Sequence, residues 1–178
     1  MKPRAKLRIA LIATLLVLAI FLPEVVSAGW HIAHGRTVNY RSWKIVVPFG
    51  WYAMSRTEGM SVERMSELPW KNPPVATFLP VHFAKTFPFD KEYGLYAREQ
   101  ASTLKAWDYV LVGQQDVQIA GKDGRCWTFN NRQNHNDLWI ACIVPKDLTS
   151  VDFQGSKANA NDFMSFLIET KHNPAVTN

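Results

Sequence analysis

Two stretches rich in aromatic and β-branched residues, 125–131 and 137–145, flank the polar run Asn131-Arg132-Gln133-Asn134-His135-Asn136-Asp137. Strand-forming runs joined by turn-forming residues predict a β-hairpin. With its two-fold centre at Asn134, Cys126 faces Cys142 and Phe129 faces Trp139. Facing residues of an antiparallel pair lie about 4.5–5.5 Å apart at Cα, within the reach of a disulfide. Fifteen residues separate the two cysteines, and closing such a loop contributes roughly 3 kcal/mol. The alternatives are two buried free thiols or a catalytic cysteine, and no neighbouring residue marks a thiolate-stabilising site. The same register puts Trp127, Phe129, Trp139 and Ala141 on one face, opposite the cysteines.

A disulfide needs an oxidising compartment, and the N-terminus provides the address. Lys2, Arg4, Lys6 and Arg8 precede an apolar run over 9–22 that only Thr14 interrupts, and Pro23-Glu24 then break it. Val26-Ser27-Ala28 gives the small-x-small pattern of a signal-peptidase site. The 14-residue run falls short of the roughly 20 residues of a spanning helix unless it extends over 7–28. Residues 1–28 therefore read as a signal peptide or a membrane anchor. In either case the positive end stays inside, and the body lies outside the cytoplasm, periplasmic or secreted. Residues 29–35 read as a short linker, 36–172 as one domain and 173–178 as a tail.

The formal charge of +5 is concentrated in that leader, which holds four basic residues and one acidic. The body has 16 basic and 14 acidic residues. A balance this even, without a basic stripe interleaved with aromatics, excludes a nucleic-acid footprint. The 47% apolar content indicates a folded domain rather than a disordered chain.

Short strands are predicted at 37–40, 43–47 and 51–56, with Pro48-Phe49-Gly50 as a turn, and further strands at 61–66 and 75–84. Pro80 marks the last of these as an edge strand or a bulge. A helix follows, capped by Asp90, with Tyr93, Tyr96, Ala97, Ala101, Leu104 and Trp107 along its apolar face. Strand segments at 109–112 and 116–119 precede a tight Gly121-Lys122-Asp123-Gly124 turn and the hairpin. A strand at 150–153 and a closing helix over 159–172 complete the order. Grouped strands with few intervening helices predict an α+β domain, an antiparallel sheet covered by helices.

Three strings carry a resemblance. Trp43-Lys44-Ile45-Val46-Val47-Pro48-Phe49-Gly50-Trp51 is similar to the strand and Pro-x-Gly-Trp signature of the PsbP-like α/β/α sandwich family. Asp116-Val117-Gln118-Ile119-Ala120-Gly121-Lys122-Asp123-Gly124 resembles its central strand-to-turn segment, and Val151-Asp152-Phe153-Gln154-Gly155 its ending. The resemblance spans about residues 36–172 in element order. It implies a fold used for accessory and partner-binding roles, without a catalytic residue set to carry over.

Dinucleotide and P-loop glycine motifs, His-Glu-x-x-His, Cys-x-x-Cys and Gly-x-Ser-x-Gly are all missing from the sequence. His135 beside Asp137 suits acid–base or metal work, but also a solvated turn. His82 sits in an apolar strand, and His172 ends a helix. If cleavage follows Ala28, Gly29-Trp30-His31 offers an amine, two amides and an imidazole, a square-planar set for Cu(II) or Ni(II), with His34 axial. Trp70, in the proline-stiffened Leu68-Pro69-Trp70-Lys71-Asn72-Pro73-Pro74 loop, suits a partner anchor or packing on the sheet. Glu58, Glu63 and Glu67 read as solvated, because Glu63 and Glu67 stand roughly 13 Å apart along a strand, too far for a catalytic pair.

The sequence thus predicts an exported domain without a cofactor that binds an envelope protein or a small ligand through residues such as Trp70, His135 and Asp137. The alternatives are a small extracytoplasmic hydrolase or metal-dependent enzyme built from His82, His135 and Asp137, and metal binding at the trimmed N-terminus. A membrane contact is expected only through 7–28 of an uncleaved leader.

Overall fold

The structure, a computed structural model, describes residues 3–65, 73–81 and 89–173. Its centre is a seven-stranded antiparallel sheet in the order β3-β4-β5-β9-β8-β7-β6. The strands are β3 (Tyr52–Arg56), β4 (Gly59–Glu63), β5 (Val75–Pro80), β6 (Tyr109–Ile119), β7 (Lys122–Asn131), β8 (Asp137–Val144) and β9 (Thr149–Ser156). A smaller sheet joins β1 (Thr37–Tyr40), β2 (Trp43–Val46) and β10 (Lys171–His172) in the order β1-β2-β10. Helix α2 (Phe89–Lys105) covers one face of the large sheet, while α3 (Lys157–Glu169) and the small sheet cover the other. This is the expected α+β arrangement.

Strand alternation sorts the two cores. Phe78, Val151, Cys142 and Cys126 lie in one row across the sheet. They pack with Phe163, Phe166 and Leu167 of α3 and with Trp43 and Ile45 of β2. The next row, Asp152, Ala141 and Trp127, faces Tyr93, Tyr96 and Leu104 of α2. The hairpin has the expected register, with Cys126 opposite Cys142 and Phe129 opposite Trp139. The cysteines are bonded to each other and fully buried, with Cα atoms 4.0 Å apart. A buried disulfide fits an extracytoplasmic location.

Several expectations need correction. Pro80 ends an interior strand, opposite Thr149 of β9, so it costs the ladder little. The turn after β6 is Ala120-Gly121, both at positive φ (52° and 75°), with Lys122 already paired to Ile119. Two positive-φ residues are what a two-residue hairpin connection demands. Of the one bent strand or two expected over 109–112 and 116–119, the structure has the single bent strand, with a bulge between Leu111 and Gly113. Trp107 lies beyond the end of α2 and is 56% exposed rather than on its buried face. Helix α3 stops at Glu169, and Lys171 and His172 pair with β2.

Glu63, expected in solvent, is buried. Its Oε1 accepts from Ser61 Oγ at 2.6 Å and is paired with Arg56, while Tyr52 OH approaches Oε2 at 3.5 Å. Burial, with Glu63 adding to it, raises the Tyr52 pKa.

Helix α1 (Pro3–His34) runs unbroken through Pro23 and takes in residues 29–34. It ends in an ordinary way. Gly35, at φ 75°, donates its amide to His31 O at 2.8 Å, a left-handed C-terminal cap. Among the described residues no helix is long and apolar enough to cross a membrane.

Candidate binding cleft at the hairpin tip

The β7–β8 tip is held by its own side chains. Asn131 Oδ1 accepts the amides of Gln133 (2.9 Å) and Asn134 (3.0 Å), and Asn134 Oδ1 accepts that of Asn136 (3.2 Å). Short amide side chains mimic backbone acceptors in this way, so an Asn-rich run folds as a defined turn. The tip is also tied at both ends. Lys157 N, at the start of α3, donates to Asn136 O at 3.0 Å, and Arg132 N donates to Asp108 O at 2.9 Å. Gln133 Nε2 donates to Asp108 Oδ2 at 2.6 Å.

Beneath this tip lies a cleft of about 410 Å³, lined by Pro73, Asn134, Asn136, Asp137, Gln154, Gly155 and Ser156. Two strand ends and one helix start converge there, because Asp137 of β8 pairs with Ser156 of β9. Ser156 caps α3, its Oγ accepting from Asn159 N at 3.4 Å and Nδ2 at 3.0 Å. Asp137 Oδ2 accepts from Tyr109 OH at 2.6 Å. Burial and this carboxylate push the Tyr109 pKa up to about 12, so the phenol stays a donor throughout the physiological range. Beside the cleft, Trp139 packs between Tyr109 and the exposed Trp107, with centroids 6.2 and 5.8 Å away. The lining sets amide, hydroxyl and carboxylate groups among a larger apolar share, and Asp137 is its one charged side chain. Such a surface suits hydrogen bonding to a polar partner.

The structure brings only some of the expected site residues together. Asp137 lines the cleft, whereas the neighbouring His135 is exposed at the tip. Among the described residues no hydrogen bond joins His135 to Asp137, whose carboxylate is turned to Tyr109. Trp70 and His82 lie outside the described residues. His31 and His34 sit in the last turns of α1. Both ring nitrogens of His31 are engaged, Nδ1 with Gly35 O at 3.0 Å and Nε2 with Pro48 O at 3.1 Å. His34 Nδ1 lies 3.1 Å from Trp30 O and its ring stacks on Trp30. The four-nitrogen set belongs to a chain cut after Ala28, whereas here Gly29 lies within α1. Among the described residues no group of three metal-ligating side chains occurs.

Asn134, Asn136, Gln154 and Ser156 were not singled out from the sequence. The signal was there in part, since the short 145–148 connection implies that the strand after β8 returns beside it.

A second buried polar contact lies under α2. Tyr96 OH donates to Asp152 Oδ1 at 3.0 Å. The enclosed carboxyl group is pushed up to about 6 by burial, which outweighs the opposing hydrogen bond from Tyr96 and the nearby Trp139 indole. Trp139 Nε1 itself is buried without a geometrically satisfied hydrogen bond.

No protein-family model and no curated protein sequence matches the chain. Among solved structures it is similar to the solution structure of cyanobacterial PsbP (CyanoP) from Synechocystis sp. PCC 6803. The TM-score is 0.50 at 8% identity, over 71% of this chain and 82% of that one. At that identity the likeness is one of architecture, and what it establishes is that this chain has a PsbP-like fold.

Proposed function

We propose that this protein is a non-catalytic accessory domain of the cell envelope that binds a polar partner at the hairpin-tip cleft. The observation that carries the reading is the cleft itself. It is a preformed hollow whose polar groups, amides, a hydroxyl and a carboxylate, are held in place by hydrogen bonds within the fold. Preformed polar sites of this size lose little entropy on binding. The PsbP-like architecture and the exposure of His135, which leaves Asp137 without a basic partner from that side chain, favour binding over catalysis.

Site-specific photo-crosslinking of the full chain in its native envelope tests this. A photoreactive side chain at Asn136 is expected to trap one discrete mass that the same group at Asp123, exposed at the β6–β7 turn, does not trap. Equal trapping at both positions, or none at Asn136, overturns the reading.

A further inference from the structure

The Val26-Ser27-Ala28 motif carries an unexpected set of contacts. Ser27 is fully buried. Its Oγ donates to Trp51 O at 3.0 Å and accepts from Gly50 N at 2.9 Å. Three residues on, Trp30 Nε1 donates to Ala53 O at 3.0 Å, on the outermost strand of the large sheet. His31 adds its contact to Pro48 O and stacks on Phe49, with centroids 6.0 Å apart. Pro23, one turn before Ser27, is buried as well.

We propose that the chain is not cut after Ala28, and that residues 23–34 of α1 are an integral part of the domain, clamping the turn at 48–51 and the open edge of β3. Four observations support this. Residues 26–29 are helical and Ser27 is enclosed, so this segment packs as part of the fold. Removing residues 1–28 would take away the hydroxyl that serves both Gly50 N and Trp51 O and uncover the 48–51 turn. A small side chain at position 27 also has a packing reason independent of processing. Its hydroxyl reaches the backbone of the 48–51 turn directly, which a larger residue would block. The clamp further covers an edge strand that would otherwise present unpaired backbone groups. This proposal is independent of the cleft.

The test uses the full chain expressed in a host that exports it. Intact-mass and N-terminal analysis of the recovered protein is expected to find residues 3–34 still attached; an N-terminus at Gly29 overturns the proposal. Chymotryptic cleavage at Trp30 then probes the clamp. It is expected to be slow in the native chain and at least tenfold faster in Ser27→Asp, which forces a charge into the enclosed site. Equal rates in the two proteins also overturn it.

Discussion

Asp152→Asn removes a charge from beneath α2 while keeping the oxygen that accepts the Tyr96 hydroxyl. In the folded protein burial pushes this carboxyl up to about 6 from its ordinary 3.8. The native state therefore holds the proton to a higher pH than the unfolded chain does. Where the native state binds more protons, stability falls as pH rises. Below about pH 4 the group is protonated in both states and the penalty is absent; it grows between about pH 4 and 6 and is complete above that. A displacement of roughly two units at about 1.4 kcal/mol each makes the penalty at neutral pH up to about 3 kcal/mol. Asn resembles the protonated form and escapes it. For a chain of this length that corresponds to a Tm about 6–12 °C higher than native at pH 7, shrinking toward zero near pH 4. The assay is thermal unfolding of both proteins across that range. The other carboxylates cancel in the difference. A gap that does not change with pH, or a native protein more stable than the variant at pH 7, would refute the reasoning.

Paired Cys126→Ser and Cys142→Ser substitutions are expected to lower stability by roughly 3 kcal/mol in urea unfolding, from the lost loop constraint. In the native protein neither sulfur should alkylate until it is both reduced and unfolded, since both residues are fully buried. Gly59→Ala places a Cβ 2.1 Å from the Phe78 carbonyl oxygen, where backbone of the neighbouring strand leaves no room. It should cost about 2 kcal/mol or more, readable as a lowered urea midpoint; a neutral effect would mean that β4 and β5 can separate there.

The hairpin was legible in the sequence because a symmetric Asn-rich turn between two apolar runs fixes the register, and register fixes both the disulfide and the faces of Trp127 and Trp139. The α2 stripe was legible for a similar reason, since Tyr93, Tyr96 and Leu104 repeat with the helix period. What failed were positions decided by distant neighbours. Glu63 reads as an exposed strand residue until Arg56, Ser61 and Tyr52 close around it. Trp107 fits the helical period, but α2 ends at Lys105, two residues before it, so the period no longer decides where the ring lies. The Val26-Ser27-Ala28 triplet was ambiguous by nature, because small residues serve a peptidase pocket and a close helix contact equally well. For the cleft, only Asp137 was visible in advance. Its other polar walls come from β9 and the α3 cap, which meet it through a strand pairing that local pattern does not announce.

Between the end of α1 and the first strand there are only Gly35 and Arg36, so helix and domain meet without slack. At 1.5 Å per residue, 32 helical residues make a strut of about 48 Å. A loose tether would let the domain sample every bearing about its attachment point. With α1 retained as proposed above, a strut seated in the 48–53 region fixes the heading of the domain relative to its far end.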